Sequence, residues 1–159
     1  MAYLSGRVRS AAGTCAIATL VLVLAFGNPA FVDWVHRNES DQTGLGLFLR
    51  TLAWPSWHLR PINGSGEALR DLIAADLTAI LLIVLVAVLV GAVISRGGFG
   101  VFLAGWGCFI IAAGVAGFLA AFIGHDASIH GSMIAAAGGA TYGMFVGWLI
   151  GLAAITGKH

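Results

Sequence analysis

The sequence predicts an all-α integral membrane protein: a four-helix transmembrane bundle with a large extracytoplasmic loop between helices 1 and 2. Three observations predict it. Residues are 59% hydrophobic and only 9% charged, where a soluble domain carries roughly a quarter charged residues. Four apolar runs, at about 11–27, 72–95, 100–124 and 134–157, lie near the roughly 20 residues that one bilayer crossing needs. The last run carries Gly139, Gly143, Gly147 and Gly151 at a spacing of four. On a helix that spacing stacks them on one face and leaves a groove where another helix backbone can lie close. At 159 residues the chain reads as a single membrane domain.

The first run follows Arg7 and Arg9 and ends in the small residues Ala25 and Gly27, which resembles a secretory signal peptide. Apolar character resumes past Pro29 with Phe31, Val32, Trp34 and Val35, as an interfacial anchor would, and this favours a retained helix. Cys15 here and Cys108 in the third run sit among apolar residues without a CxxC. They read as small apolar residues, not as a disulfide.

The loop over about 28–71 is the most distinctive stretch. Thr43–Trp54 alternates small and large apolar residues around Arg50, the pattern of a helix lying at the membrane interface. Then comes Trp54-Pro55-Ser56-Trp57-His58-Leu59-Arg60-Pro61, where proline breaks helix and favours an extended turn. The tryptophans read either as belt anchors or as part of an aromatic and cationic pocket for a lipid or quinone head group.

The second helix is predicted to start early, with Ser65 as N-cap and Glu67 in the first turn. Along it Leu69, Leu72, Ile73, Asp76 and Ile80 share a face, which puts the Asp76 carboxylate on an apolar stripe where lipid begins. A charge at that depth is costly and normally meets a partner inside the protein. Arg50, Arg60, His58 and His125 are the candidates. Asp76, Trp54, Trp57, His58, Arg60 and His125 therefore make a possible outer polar site, whether a structural ion pair or a proton or ligand site. Ala79–Val93 is almost wholly Leu, Ile, Val and Ala, which suits lipid exposure.

The third helix places Ala113, Gly117 and Ala121 four apart. It is the natural antiparallel neighbour of the glycine face, tethered by a short loop; a helix of another chain is the alternative occupant. Gly157 lies at the end of the last helix and is expected to tolerate a side chain better than Gly147.

Orientation follows from basic residues in short flanks. Arg7, Arg9, Arg96 and Lys158 mark one side, the loop 125–133 has no Lys or Arg, and the termini are predicted to be cytoplasmic. Seven of the eight basic residues are arginine, alongside abundant Ala, Gly and Val, the composition of a bacterial plasma-membrane protein.

His125, Asp126 and His130 share a loop, on the same side as His36, His58 and Asp33, but their spacing fits no metal motif. No nucleophile–base arrangement, phosphate-cradling loop or basic stripe occurs in the sequence. Neither metal nor cofactor nor nucleic acid is therefore expected. The expected partners are the lipid bilayer and other membrane-protein subunits or a second copy. The expected role is a non-enzymatic accessory or structural subunit, packing through glycine-rich helix faces. The alternatives are a homo-oligomeric channel or transporter with Asp76 on the path, and a lipid- or quinone-linked enzyme using Trp54–Pro61.

Overall fold

A computed structural model describes residues 11–38, 43–54, 56–57, 66–93, 99–124 and 128–157. Six helices follow one another: α1 (Ala11–Phe26), α2 (Pro29–Asn38), α3 (Gly44–Leu52), α4 (Gly66–Val93), α5 (Phe99–Gly124) and α6 (Ile129–Thr156). They account for 92% of the described residues, among which there is no strand. Three stretches are long and apolar enough to cross a membrane: Leu72–Val93, Phe99–Ile123 and Ile129–Thr156.

The first run differs from expectation. At 16 residues, α1 spans about 24 Å, short of a hydrocarbon core of about 30 Å. It reaches spanning length only together with α2, from which it is bent by 55°. The bend is written in Gly27-Asn28-Pro29. Pro29 has no N–H to give the carbonyl four residues back, so the Asn28 side-chain amide donates to the Ala25 carbonyl instead, at 2.6 Å. The same amide's oxygen accepts the Phe31 N–H at 2.9 Å and starts α2. Trp57 completes the joint: its backbone N–H donates to the Gly27 carbonyl at 3.0 Å and its indole N–H to the Val23 carbonyl at 3.1 Å. The Gly27 carbonyl, which the break leaves open, is thereby satisfied, while the Val23 carbonyl takes the indole in addition to the Gly27 N–H at 2.9 Å.

Side-chain caps set two other starts. Thr43 Oγ1 accepts the Gly46 N–H at 3.0 Å, opening α3. Ser128 Oγ accepts the Gly131 N–H at 3.3 Å, so α6 begins well ahead of the expected start near 134. Ser65 lies outside the described residues. Much of the described part of 28–71, read above as loop, is helical: α2, α3 and the first turns of α4.

Each of α1 and α5 packs against both α4 and α6. Gly157 lies against Ala11 and Thr14, and Gly91 against Ala12, so α1 begins at the end where α4 and α6 finish. Leu82, Val86 and Val90 of α4, Phe109 and Ala112 of α5, Tyr142 and Ile150 of α6, and Cys15 and Val23 of α1 share one core. Its buried serine and threonine hydroxyls are met locally: Thr19 donates to Cys15 O at 2.8 Å, Thr78 to Ala74 O at 2.8 Å and Ser132 to Ser128 O at 2.9 Å. Back-bonding of this kind avoids the cost of an unpaired buried hydroxyl. Both cysteines are buried and free.

α4 has an exposed and a buried side. In its C-terminal half Val84, Val88 and Val93 are exposed, while Leu82, Val86 and Val90 are fully buried. Toward its start Leu69, Ile73 and Ile80 are 49%, 50% and 59% exposed, while Ala74, Thr78 and Ala79 are buried. In this first half the small side chains admit the neighbouring helix, and Leu69, Ile73 and Ile80 face outward, which lipid tolerates because it is as apolar as leucine.

Candidate functional site

Two features stand out among the described residues: the face where α6 meets α5, and a cleft beside Trp54. The first is built of missing side chains. A Cβ at Gly139 would overlap the Ala113 carbonyl, and one at Gly143 would stand 2.6 Å from Ile110 Cα. At Gly147 it would stand 2.7 Å from Trp106 Cδ1 and 3.0 Å from Phe109 Cδ1; at Gly151, 2.7 Å from the Phe102 carbonyl oxygen. From the other side, a Cβ at Gly117 would lie 2.5 Å from the Ala135 carbonyl oxygen. Contacts below about 3 Å leave no room for a methyl group, so the two backbones meet directly. Trp106 uses the closeness, its indole N–H donating to the Met144 carbonyl at 3.1 Å. Ala113 is fully buried in this contact, whereas Ala121 is half-buried and lies at the cleft. The groove of Gly139, Gly143, Gly147 and Gly151 is occupied by α5 of the same chain.

Gly157 is not the spare position it was expected to be. A Cβ there would stand 2.5 Å from Thr14 Oγ1 and 2.8 Å from Ala11 Cα, because the end of α6 closes onto the start of α1. On α6 the open position is Gly138. It is exposed, with nothing within 4 Å of the position a Cβ would take.

The outer polar site is only partly described, since His58, Arg60 and His125 lie outside the described residues. Trp54 and Trp57 are both half-buried against the protein. Trp54 is half-buried, its ring 5.0 Å from that of Tyr142 and tilted by 56°, over the surface that Gly139 leaves bare. Trp57 closes the bend after α1, as described above. Asp76 is half-buried on α4.

Beside Trp54 lies an open cleft of about 210 Å³. Its walls are Ala74, Ala75 and Thr78 of α4, Gly117, Ala120 and Ala121 of α5, and Ala135 of α6, with Trp54 as the one large side chain. Asp76 follows Ala75 in the chain but is not among the lining residues. Among the described residues there is no group of three or more His, Cys, Asp or Glu that could hold a metal. Asp33 pairs with Arg37 at 3.9 Å, His36 Nδ1 lies 2.8 Å from the Val32 carbonyl, and His130 is exposed at the start of α6. His125 and Asp126 lie outside the described residues.

Sequence reasoning missed Asn28, Tyr142 and the cleft. Asn28 between glycine and proline is a legible break signal. Tyr142 shares its helix face with Gly139, Gly143 and Val146, one turn apart. Nothing in the sequence announces the cleft, which three helices make together. No protein-family model, curated protein or solved structure matches the chain.

Proposed function

We propose that the chain is a non-enzymatic accessory or structural subunit of a bacterial plasma membrane. In this reading it is a four-helix transmembrane bundle with both termini cytoplasmic, and it packs against other membrane chains. Cys15, Thr19, Leu22 and Val23 of α1 are buried, which supports a first helix that stays in the mature protein; removing it as a leader would open the core. The basic residues Arg7, Arg9, Arg96 and Lys158 flank, in sequence, the helix ends that meet where α1 begins. That clustering supports a cytoplasmic assignment for this end.

The observation that carries association is the outer side of α6. Its glycine face is already filled by α5, so the face proposed for partners is the strip of Ala137, Gly138 and Thr141. All three are exposed, no neighbour stands over Gly138, and the Thr141 hydroxyl is turned back onto the Ala137 carbonyl at 2.8 Å. Strips of small residues let membrane helices approach to backbone distance, where van der Waals fit replaces the missing water-driven term. Native purification with mass spectrometry tests the proposal. A stoichiometric foreign membrane subunit is expected, lost in Gly138→Leu while the protein's own thermal stability is kept. A pure homo-oligomer would favour the channel reading with Asp76 on its path, and a bound quinone the enzyme. Labelling of His159→Cys from outside intact cells would overturn the orientation.

A further inference from the structure

We infer that α3 dips into the membrane and that acyl chains of the bilayer cover its outward face, Leu45 and Phe48; the inference rests on the reading of α4 to α6 as membrane spans. Polarity is the first argument. Leu45 and Phe48 stand three residues apart on one face and are 64% and 39% exposed. Arg50 lies about 200° around the helix from Phe48. It is half-buried, and its Nε is shielded. A surface helix in water turns its apolar side inward and its charges outward. α3 does the reverse, which suits a helix with hydrocarbon outside it and its cation kept on the protein side.

Depth is the second. The ring of Trp54, just past the end of α3, comes within 3.1 Å of where a Gly139 Cβ would stand. α6 has 28 residues and is about 42 Å long, so a hydrocarbon core of about 30 Å centred on it begins about 6 Å inside each end. Gly139 lies about 15 Å along the axis from Ile129, hence about 9 Å below that boundary. α1 gives the same level independently. Cys15 Sγ meets the Ile150 carbonyl at 3.5 Å, and Gly27 stands about 18 Å beyond Cys15 along α1. The same rise measured back from Ile150 along α6 reaches Gly138. Trp57 donates to the Gly27 carbonyl at 3.0 Å, so Trp54 and Trp57 both sit near the depth of Gly139.

The backbone meets the requirement that this depth imposes. In hydrocarbon an amide needs a partner inside the protein. Thr43 Oγ1 closes the first turn of α3. After its last turn Ala53 donates to the Leu49 carbonyl at 3.0 Å and Trp54 to the Thr51 carbonyl at 3.2 Å. Leu52 and Ala53 are buried and anchor the deep end, whereas Thr43 at the other end is exposed. α1 stops at this depth, and α2 and α3, packed on one another, take up the height above it. Ile73 and Ile80 of α4 and Ile134 of α6 expose the same kind of side chain on the spans, so the lipid that covers them also meets α3.

The test is spin labelling of the full chain in phosphatidylcholine vesicles. Cys15 and Cys108 are buried, so a nitroxide goes to single cysteines introduced by Leu45→Cys, Phe48→Cys, Ile80→Cys and Arg37→Cys. All four positions are exposed, and the substitutions leave the fold intact. Ile80 on α4 is the lipid reference and Arg37 on α2 the water reference. Relaxation by oxygen, which concentrates in hydrocarbon, is compared with relaxation by a nickel chelate, which stays in water. The labels of Leu45→Cys and Phe48→Cys are expected to respond as that of Ile80→Cys does, with oxygen access kept and chelate access lost. A response like that of Arg37→Cys overturns the proposal and makes α3 part of a water-facing cap. Access to neither reagent also overturns it, since a second chain then covers the face. Chelate access in Ile80→Cys defeats the span reading itself. A dry Ile80→Cys beside a wet Leu45→Cys and Phe48→Cys defeats only the dip of α3.

Discussion

α5 meets its two long neighbours by different devices. Against α6 it touches backbone, because Gly139 and Gly143 remove the side chains that would hold the helices apart. Against α4 it packs by side chains, with Leu82, Val86 and Val90 fully buried in the shared core. The difference teaches what each contact tolerates. A side-chain mesh can relax around a lost methyl group, while a backbone contact has nothing that can move aside. The two contacts should therefore fail under opposite substitutions, one when a side chain is added and the other when one is trimmed.

The largest effect is expected from Gly139→Leu, where the new Cβ meets the Ala113 carbonyl. Overpacking into backbone should cost about 3 kcal/mol or more, read as loss of folded protein or a large drop in thermal stability in detergent. Gly147→Leu should cost less, since it meets the rings of Trp106 and Phe109, and rings can swing. A smaller loss from Gly139→Leu than from Gly147→Leu would break the distinction between backbone and side-chain contact.

Trimming the other contact comes next. Leu82→Ala should cost about 2 kcal/mol, the low end for a buried leucine, because lipid competes with the core for apolar groups as water does not. A cost near the upper end, measured by the same unfolding assay, would mean that the α4 contact has as little give as the glycine one. Trp57→Phe removes the indole N–H from the Val23 carbonyl and should cost about 1 kcal/mol, the usual net worth of one hydrogen bond. Hydrogen exchange should then rise at the end of α1 and leave the α5–α6 contact unchanged.

The smallest effect is expected from Gly138→Leu. It lies on the same helix as Gly139, one residue away, yet nothing stands within 4 Å of the added carbon. The fold should shift by no more than about 0.5 kcal/mol, so any larger change in co-purifying chains belongs to an external contact. A stability loss approaching that of Gly139→Leu would mean that glycine itself, and not its position, is what the helix requires.

Much of this architecture is legible in the residues. The apolar runs predict the helices of α4, α5 and α6, because a chain in lipid must satisfy its backbone hydrogen bonds internally. The four-residue glycine spacing predicts a bare face, since 3.6 residues per turn leaves no other arrangement. Gly27-Asn28-Pro29 contains a break, and Ser128 the start of α6. Among the candidate site residues, Trp54 and Trp57 stand out by type, but what each of them touches does not follow from type.

What only the tertiary structure decided is which way each helix faces and what fills each gap. The spans α4, α5 and α6 carry almost no amphipathic asymmetry, in contrast to the short helices α2 and α3. In water, apolar periodicity points inward; in lipid the outside is as apolar as the inside, so Leu69, Ile73 and Ile80 give a pattern without a direction. Packing between helices sets the direction instead: in α4 Ala74 and Thr78 turn inward together with Leu82, Val86 and Val90. For the same reason the partner of the Gly139 face, the inward turn of Trp54 and the cleft among Ala74, Gly117 and Ala135 belong to three helices at once. No single stretch of the sequence contains them.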